Sequence, residues 1–92
     1  MGTRHKFVQQ PAEVISYDID FGPWVEDRND TVVSHSIDAE PGLTVTSSLA
    51  GNVVKVIASG GADGAQYKVT VRASTAASLV KEAEFVVRIK DV

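Results

Sequence analysis

Apolar and polar residues alternate along most of this chain with a period of two, the signature of strands that bury one face. The clearest run is 66–74. There Tyr67, Val69, Val71 and Ala73 share one face, opposite Gln66, Lys68, Thr70, Arg72 and Ser74. A second run, 83–90, places Ala83, Phe85, Val87 and Ile89 against Glu84, Val86, Arg88 and Lys90. Joined by 75–81, the two predict an antiparallel pair. A helical turn around 74–84, carried by Ala76, Ala77, Val80 and Glu84, is the weaker reading, and strand and loop are preferred there.

Earlier segments follow the same period. Ile15, Tyr17 and Ile19 alternate with Ser16, Asp18 and Asp20, and Gly22-Pro23 ends that strand because proline lacks the amide donor a ladder needs. A strand over 31–37 is expected with Val33 and Ile37 inward, although His35 falls on the same parity. Glu40-Pro41-Gly42 is a turn, 43–47 a short strand, and 50–52 another turn. In 53–59 both faces carry apolar residues. Val54, Val56 and Ala58 oppose Val53, Lys55 and Ile57, so a neighbour is expected to cover part of it. Residues 1–12 are mostly polar and read as a flexible arm anchored by Phe7 and Val8, leaving 13–92 as one domain.

Six or seven short strands in 92 residues predict an all-β, immunoglobulin-like antiparallel sandwich of about seven strands around one core. Valine dominates the apolar content, and β-branched side chains suit a pleated sheet. The chain has no cysteine, so the sandwich has no disulfide and no thiolate metal site. A net charge of −3 with singly spaced lysines and arginines argues against nucleic acid as a partner. No apolar run reaches the ~20 residues of a membrane span, and no signal-peptide core is visible, which points to synthesis in a reducing cytoplasm.

Asp63-Gly64-Ala65-Gln66-Tyr67-Lys68-Val69 has the form Asp-x-Ala-x-Tyr-x-apolar at a strand start. It resembles the tyrosine corner, in which Tyr67 would hydrogen-bond back to the chain near Asp63 and Val69 would stand where antibody domains carry a cysteine. The alternative is a generic loop-to-strand entry with an inward tyrosine. Trp24 reads as core filler rather than a binding platform.

Candidate chemistry is sparse. Asp18, Asp20, Glu26, Asp27 and Asp30 form a dense acidic stretch, and Asp27-Arg28-Asn29-Asp30 matches a string used between cadherin repeats. Calcium needs six to eight oxygens from several segments, and a solvated turn explains the stretch better. His5 lies in the arm and His35 in a strand, with no cysteine in the chain and no serine in a nucleophile-elbow context, and 60–64 lacks the Lys-Ser/Thr of a phosphate loop. The sequon at Asn29-Asp30-Thr31 has no secretion signal to give it meaning. No enzyme, cofactor or metal is therefore expected.

Taken together, several segments resemble small proteins encoded among the structural genes of tailed bacteriophages and prophages. They are Asp20-Phe21 with Pro23-Trp24-Val25, Asp30-Thr31-Val32, Gly42-Leu43-Thr44-Val45, and the run from Ser59-Gly60-Gly61 to Val69-Thr70. The likeness spans about 7–92. It departs at Ile37, where a tryptophan is common, and in the 73–81 hairpin, which is poorer in glycine. Such proteins are described as fibre–tail adaptors or immunoglobulin-like accessory proteins of the virion. The resemblance implies a non-enzymatic module bound to other virion proteins (tail, fibre or capsid), and homo-oligomers are compatible with it. The apolar residues Val53 and Ile57 are the candidate interaction surface. A carbohydrate- or host-surface-binding module is the alternative, and a calcium-dependent adhesion domain a third.

Overall fold

The computed structural model describes residues 5–91. Seven strands and one short helix follow in the order β1 (His5–Gln9), β2 (Val14–Asp20), α1 (Gly22–Glu26), β3 (Val32–Ala39), β4 (Leu43–Ala50), β5 (Val53–Gly60), β6 (Gln66–Thr75) and β7 (Val80–Ile89). They form a four-stranded sheet, β1-β7-β6-β3, packed on a three-stranded sheet, β2-β5-β4. Apart from β1, this is the immunoglobulin division into one sheet of the second, fifth and fourth strands and another of the third, sixth and seventh.

The alternation at 66–75 and 80–89 builds the core. Val69, Val71 and Ala73 of β6 and Phe85, Val87 and Ile89 of β7 are fully or almost fully buried against Val54, Val56 and Ala58 of β5. Each such valine contributes roughly 1.5–3 kcal/mol by leaving water. Phe21 and Val25 close one end, and Leu43 and Tyr67 belong to the same core.

Helix α1 was not expected. Pro23 falls in its first turn, where the missing N–H is no loss, and Trp24 and Val25 donate their N–H groups to the Phe21 carbonyl. One turn is too short to leave a 3.6-residue period in the sequence. Trp24 packs partly buried against the core while Arg28 and Lys81 lie over its ring, 5.8 and 5.6 Å from the centroid.

Val33 points outward, 58% exposed, contrary to the expected parity. The register with β6 shifts between Val32, paired with Thr75, and Ser34, paired with Ser74. The bulge puts Val32 inside and then returns His35, Ile37 and Ala39 to the inner, half-buried side. His35 thereby faces between the sheets, its Nε2 2.9 Å from Ser47 Oγ. Strand β7 also begins earlier than the alternation indicated, at Val80, after a turn in which Ser78 takes a φ of 67°.

The segment read as an arm contributes β1, which lies parallel to β7 from His5 opposite Phe85 to Gln9 opposite Ile89. Residues 1–4 of that segment lie outside the described residues. Phe7 contacts Tyr17 at 4.7 Å and Phe85 edge-on at 5.8 Å between centroids, which joins β1 to both sheets. Gln9 is 1% exposed. Its Nε2 donates to the carbonyls of Ala58 and Glu13, each at 2.9 Å, and its Oε1 accepts from the Tyr17 hydroxyl at 2.9 Å. Burial of the Tyr17 phenol, and secondarily the nearby Glu13 carboxylate, raises its pKa.

Candidate interaction surfaces

At one end of the sandwich the Tyr67 hydroxyl accepts the Ala62 N–H at 2.9 Å, five residues upstream. Its ring lies against two glycines. A Cβ on Gly42 would come within 2.9 Å of Tyr67 Cε1, and one on Gly61 within 3.0 Å of Cε2. Asp63, grouped with Tyr67 in the sequence motif, instead accepts the Asp91 N–H at 2.9 Å, just beyond the end of β7. Replacing Tyr67 with phenylalanine removes the acceptor and leaves the Ala62 N–H unpaired. A loss of about 1–2 kcal/mol is expected, read as a shifted urea midpoint at unchanged slope.

At the opposite end Asp30 organises the β6–β7 turn. Its Oδ1 accepts from Thr31 N at 2.9 Å and Ala77 N at 3.2 Å. The neighbouring Thr75 hydroxyl is the largest influence holding its carboxyl below the usual range, followed by the backbone donors and Arg28, against an opposing desolvation. Oδ2 is shielded from solvent and has no hydrogen-bond partner. A depressed carboxyl pKa stabilises the fold above the unfolded value near 4 and loses that contribution as pH falls through the lower folded value. Acid melts should therefore show a steeper decline below about pH 4 in the native chain than in Asp30→Asn.

Of the other acidic candidates, Asp20 and Glu26 come together beside Gly22, where an added Cβ would lie 2.9 Å from Asp20 Oδ1 and 2.8 Å from Glu26 Oε2. Asp20 Oδ1 accepts the Gly22 N–H at 2.8 Å, and Asp18 stands opposite Lys55 on the outer face of the three-stranded sheet. Among the described residues no group of three carboxylate or imidazole side chains converges as a metal site. Sequence reasoning gave no role to Asn52. Its Oδ1 accepts from Val32 N at 2.9 Å and its carbonyl from Phe21 N at 2.8 Å, tying the β4–β5 turn to β3 and α1.

Both outer faces mix charge with exposed apolar side chains: Val8 and Val80, 62% and 61% exposed, lie on the four-stranded sheet opposite Arg88 and Ser74, and Asp18 lies opposite Lys55 on the three-stranded sheet. On the four-stranded sheet Ser36, Arg72 and Glu82 lie in one row, and Asp38, Thr70 and Glu84 in the next. Arg72 pairs with Glu82, and Lys68 lies 3.9 Å from Glu84. On the three-stranded sheet Ile57 sits between Ser16 and Thr46, and Ser59 between Val14 and Thr44. Ile57 is 39% exposed and Val14 66%, forming a diagonal apolar pair in a field of hydroxyls. Val53 lies on the same face, half-buried, between Asp20 and Ala50. Lys55 and Asp18 separate it from Ile57, so the two nominated residues do not form one patch.

A family model describing the podophage GP4 fiber-tail adaptor protein gp77 matches residues 9–88. The chain belongs to this adaptor family. The match begins at Gln9, which joins β1 to both sheets, and runs almost to the end of β7, so it takes in nearly the whole sandwich. Membership makes this adaptor-family chain a phage structural protein with a β-sandwich fold. A search of curated proteins returned no match. No helix among the described residues is long and apolar enough to cross a membrane.

Proposed function

We propose that the chain is a non-enzymatic fibre–tail adaptor that joins virion proteins through the outer face of its three-stranded sheet. The family match over 9–88 carries the adaptor reading. The choice of face rests on the contrast between the sheets. The exposed Val8 and Val80 of the four-stranded sheet stand beside Arg88 and the Arg72–Glu82 pair, whose desolvation costs more than covering Val14, Ile57 and their hydroxyl neighbours. Val53 lies at the rim of this contact rather than its centre. The same reading treats Tyr67 as the tyrosine corner, a structural brace for the β5–β6 connection, with Asp63 bracing the end of β7. No catalytic step is assigned to any residue.

A Val14→Lys/Ile57→Lys double variant tests the face. Both positions are exposed, so its melting temperature should stay within a few degrees of the native value. Complementation of a phage lacking the gene should then yield particles without attached fibres and without the variant, read by mass spectrometry of purified particles. Normal incorporation would exclude this face.

A further inference from the structure

Each sheet ends in two edge strands, and three of the four carry features that discourage pairing with another chain. Strand β1 carries Lys6, β2 presents Asp18 and Asp20, and β3 has Asp38 together with the bulge at Val33. Strand β4 has none of these. Its eight residues, Leu43 to Ala50, contain no charge and no proline, and its register with β5 is unbroken from Leu43 opposite Gly60 to Ala50 opposite Val53. A long, regular, uncharged edge is a template for an added strand.

The side chains around that edge say which strand fits. Val45 and Leu49 point inward from β4 and, with Ile37 of β3, are only partly covered by the core. We infer that β4 pairs antiparallel with β4 of a second copy, about a two-fold axis normal to the sheet at Ser47. In that register Thr46 faces Ser48 and Thr44 faces Ala50 on the outer face, while on the inner face Val45 faces Leu49 and Ser47, bonded to His35, meets its own copy at the axis. No charge opposes a like charge. The same operation on β2, centred on Tyr17, sets Asp18 against Ser16 and Asp20 against Val14, which exposes two carboxylates per copy to the new interface. The product is a six-stranded sheet, β2-β5-β4-β4-β5-β2, whose second copy also shelters Ile37, Val45 and Leu49. One strand pair buries less than the roughly 1,200 Å² of a stable interface, so the association is weak and concentration-dependent.

The inference does not rest on the adaptor reading, and its test uses the isolated full chain. In sedimentation between about 10 µM and about 1 mM, a range suited to a weak interface, the mass should rise from the monomer's 9.8 kDa towards twice that value. The Thr46→Lys/Ser48→Lys variant changes two exposed side chains and sets four lysines across the axis, so it should stay monomeric with an unchanged melting temperature. Amide exchange gives a readout free of any variant: protection of backbone amides within 43–50 should increase with concentration in the native chain. A native chain monomeric at the highest concentration overturns the pairing. So does a dimer that persists in the lysine variant, or 43–50 protection that appears only in assembled particles, which would assign the edge to another virion protein.

Discussion

Gln9→Ala is expected to cost about 2–4 kcal/mol, a large part of the stability of a domain this size. The side chain is buried and satisfies three groups at once: the Ala58 carbonyl, the Glu13 carbonyl and the Tyr17 hydroxyl. Truncation strands the buried Ala58 acceptor and opens a void between the sheets, and each such orphan costs about 1–3 kcal/mol. The effect should also be local. Lys90 N donates to the Gln9 carbonyl at 3.0 Å, so loosening Gln9 frees β1 from β7. Thermal melts should drop by on the order of 15 °C. Gln9→Met keeps most of the volume without the hydrogen bonds, and it should recover less than half of the loss if the polar contacts dominate. Near-native stability of either variant would mean that β1 docks by its aromatic contacts alone.

Gly61→Ala should be as damaging, at about 3 kcal/mol or more. Its φ is +93°, and an added Cβ would lie 2.6 Å from Ile89 Cγ1 and 3.0 Å from Tyr67 Cε2. Ile89 is fully buried and Tyr67 nearly so, so neither can swing out of the way. Gly60→Ala is the internal control. Gly60 also has a positive φ, +78°, but nothing lies within 4 Å of its hypothetical Cβ. It should lose only the backbone penalty of about 1–2 kcal/mol. Equal losses at the two sites would show that the Tyr67 ring is not seated against Gly61.

Legibility in the sequence tracked how much of each element is decided locally. Strands β6 and β7 were readable because both are central in their sheet, so their alternation is set by one buried face. The Tyr67 position was readable for the same reason, since the tyrosine opens an alternating run. Strand β1 was not. Five residues that include His5, Lys6 and Gln9 look polar, and only pairing with β7 and the bonds of Gln9 make them a strand. The outward turn of Val33 was hidden because a bulge depends on the partner strand rather than on the bulged residues. Gly61 read as one more turn glycine, since what excludes its Cβ comes from Ile89 and Tyr67, 28 and 6 residues away. For the candidate site, the apolar character of Ile57 was visible in advance. Its union with Val14 rather than Val53 needed the β2–β5 register.

Site-specific photo-crosslinking in assembled particles tests the proposed docking face most directly. A photoreactive residue placed at Ile57 reports on the outer face of the three-stranded sheet, and one at Arg72 reports on the opposite face. The adaptor reading predicts crosslinks from position 57 to a tail or fibre protein and few or none from position 72. Crosslinks from 72 with none from 57 would contradict it.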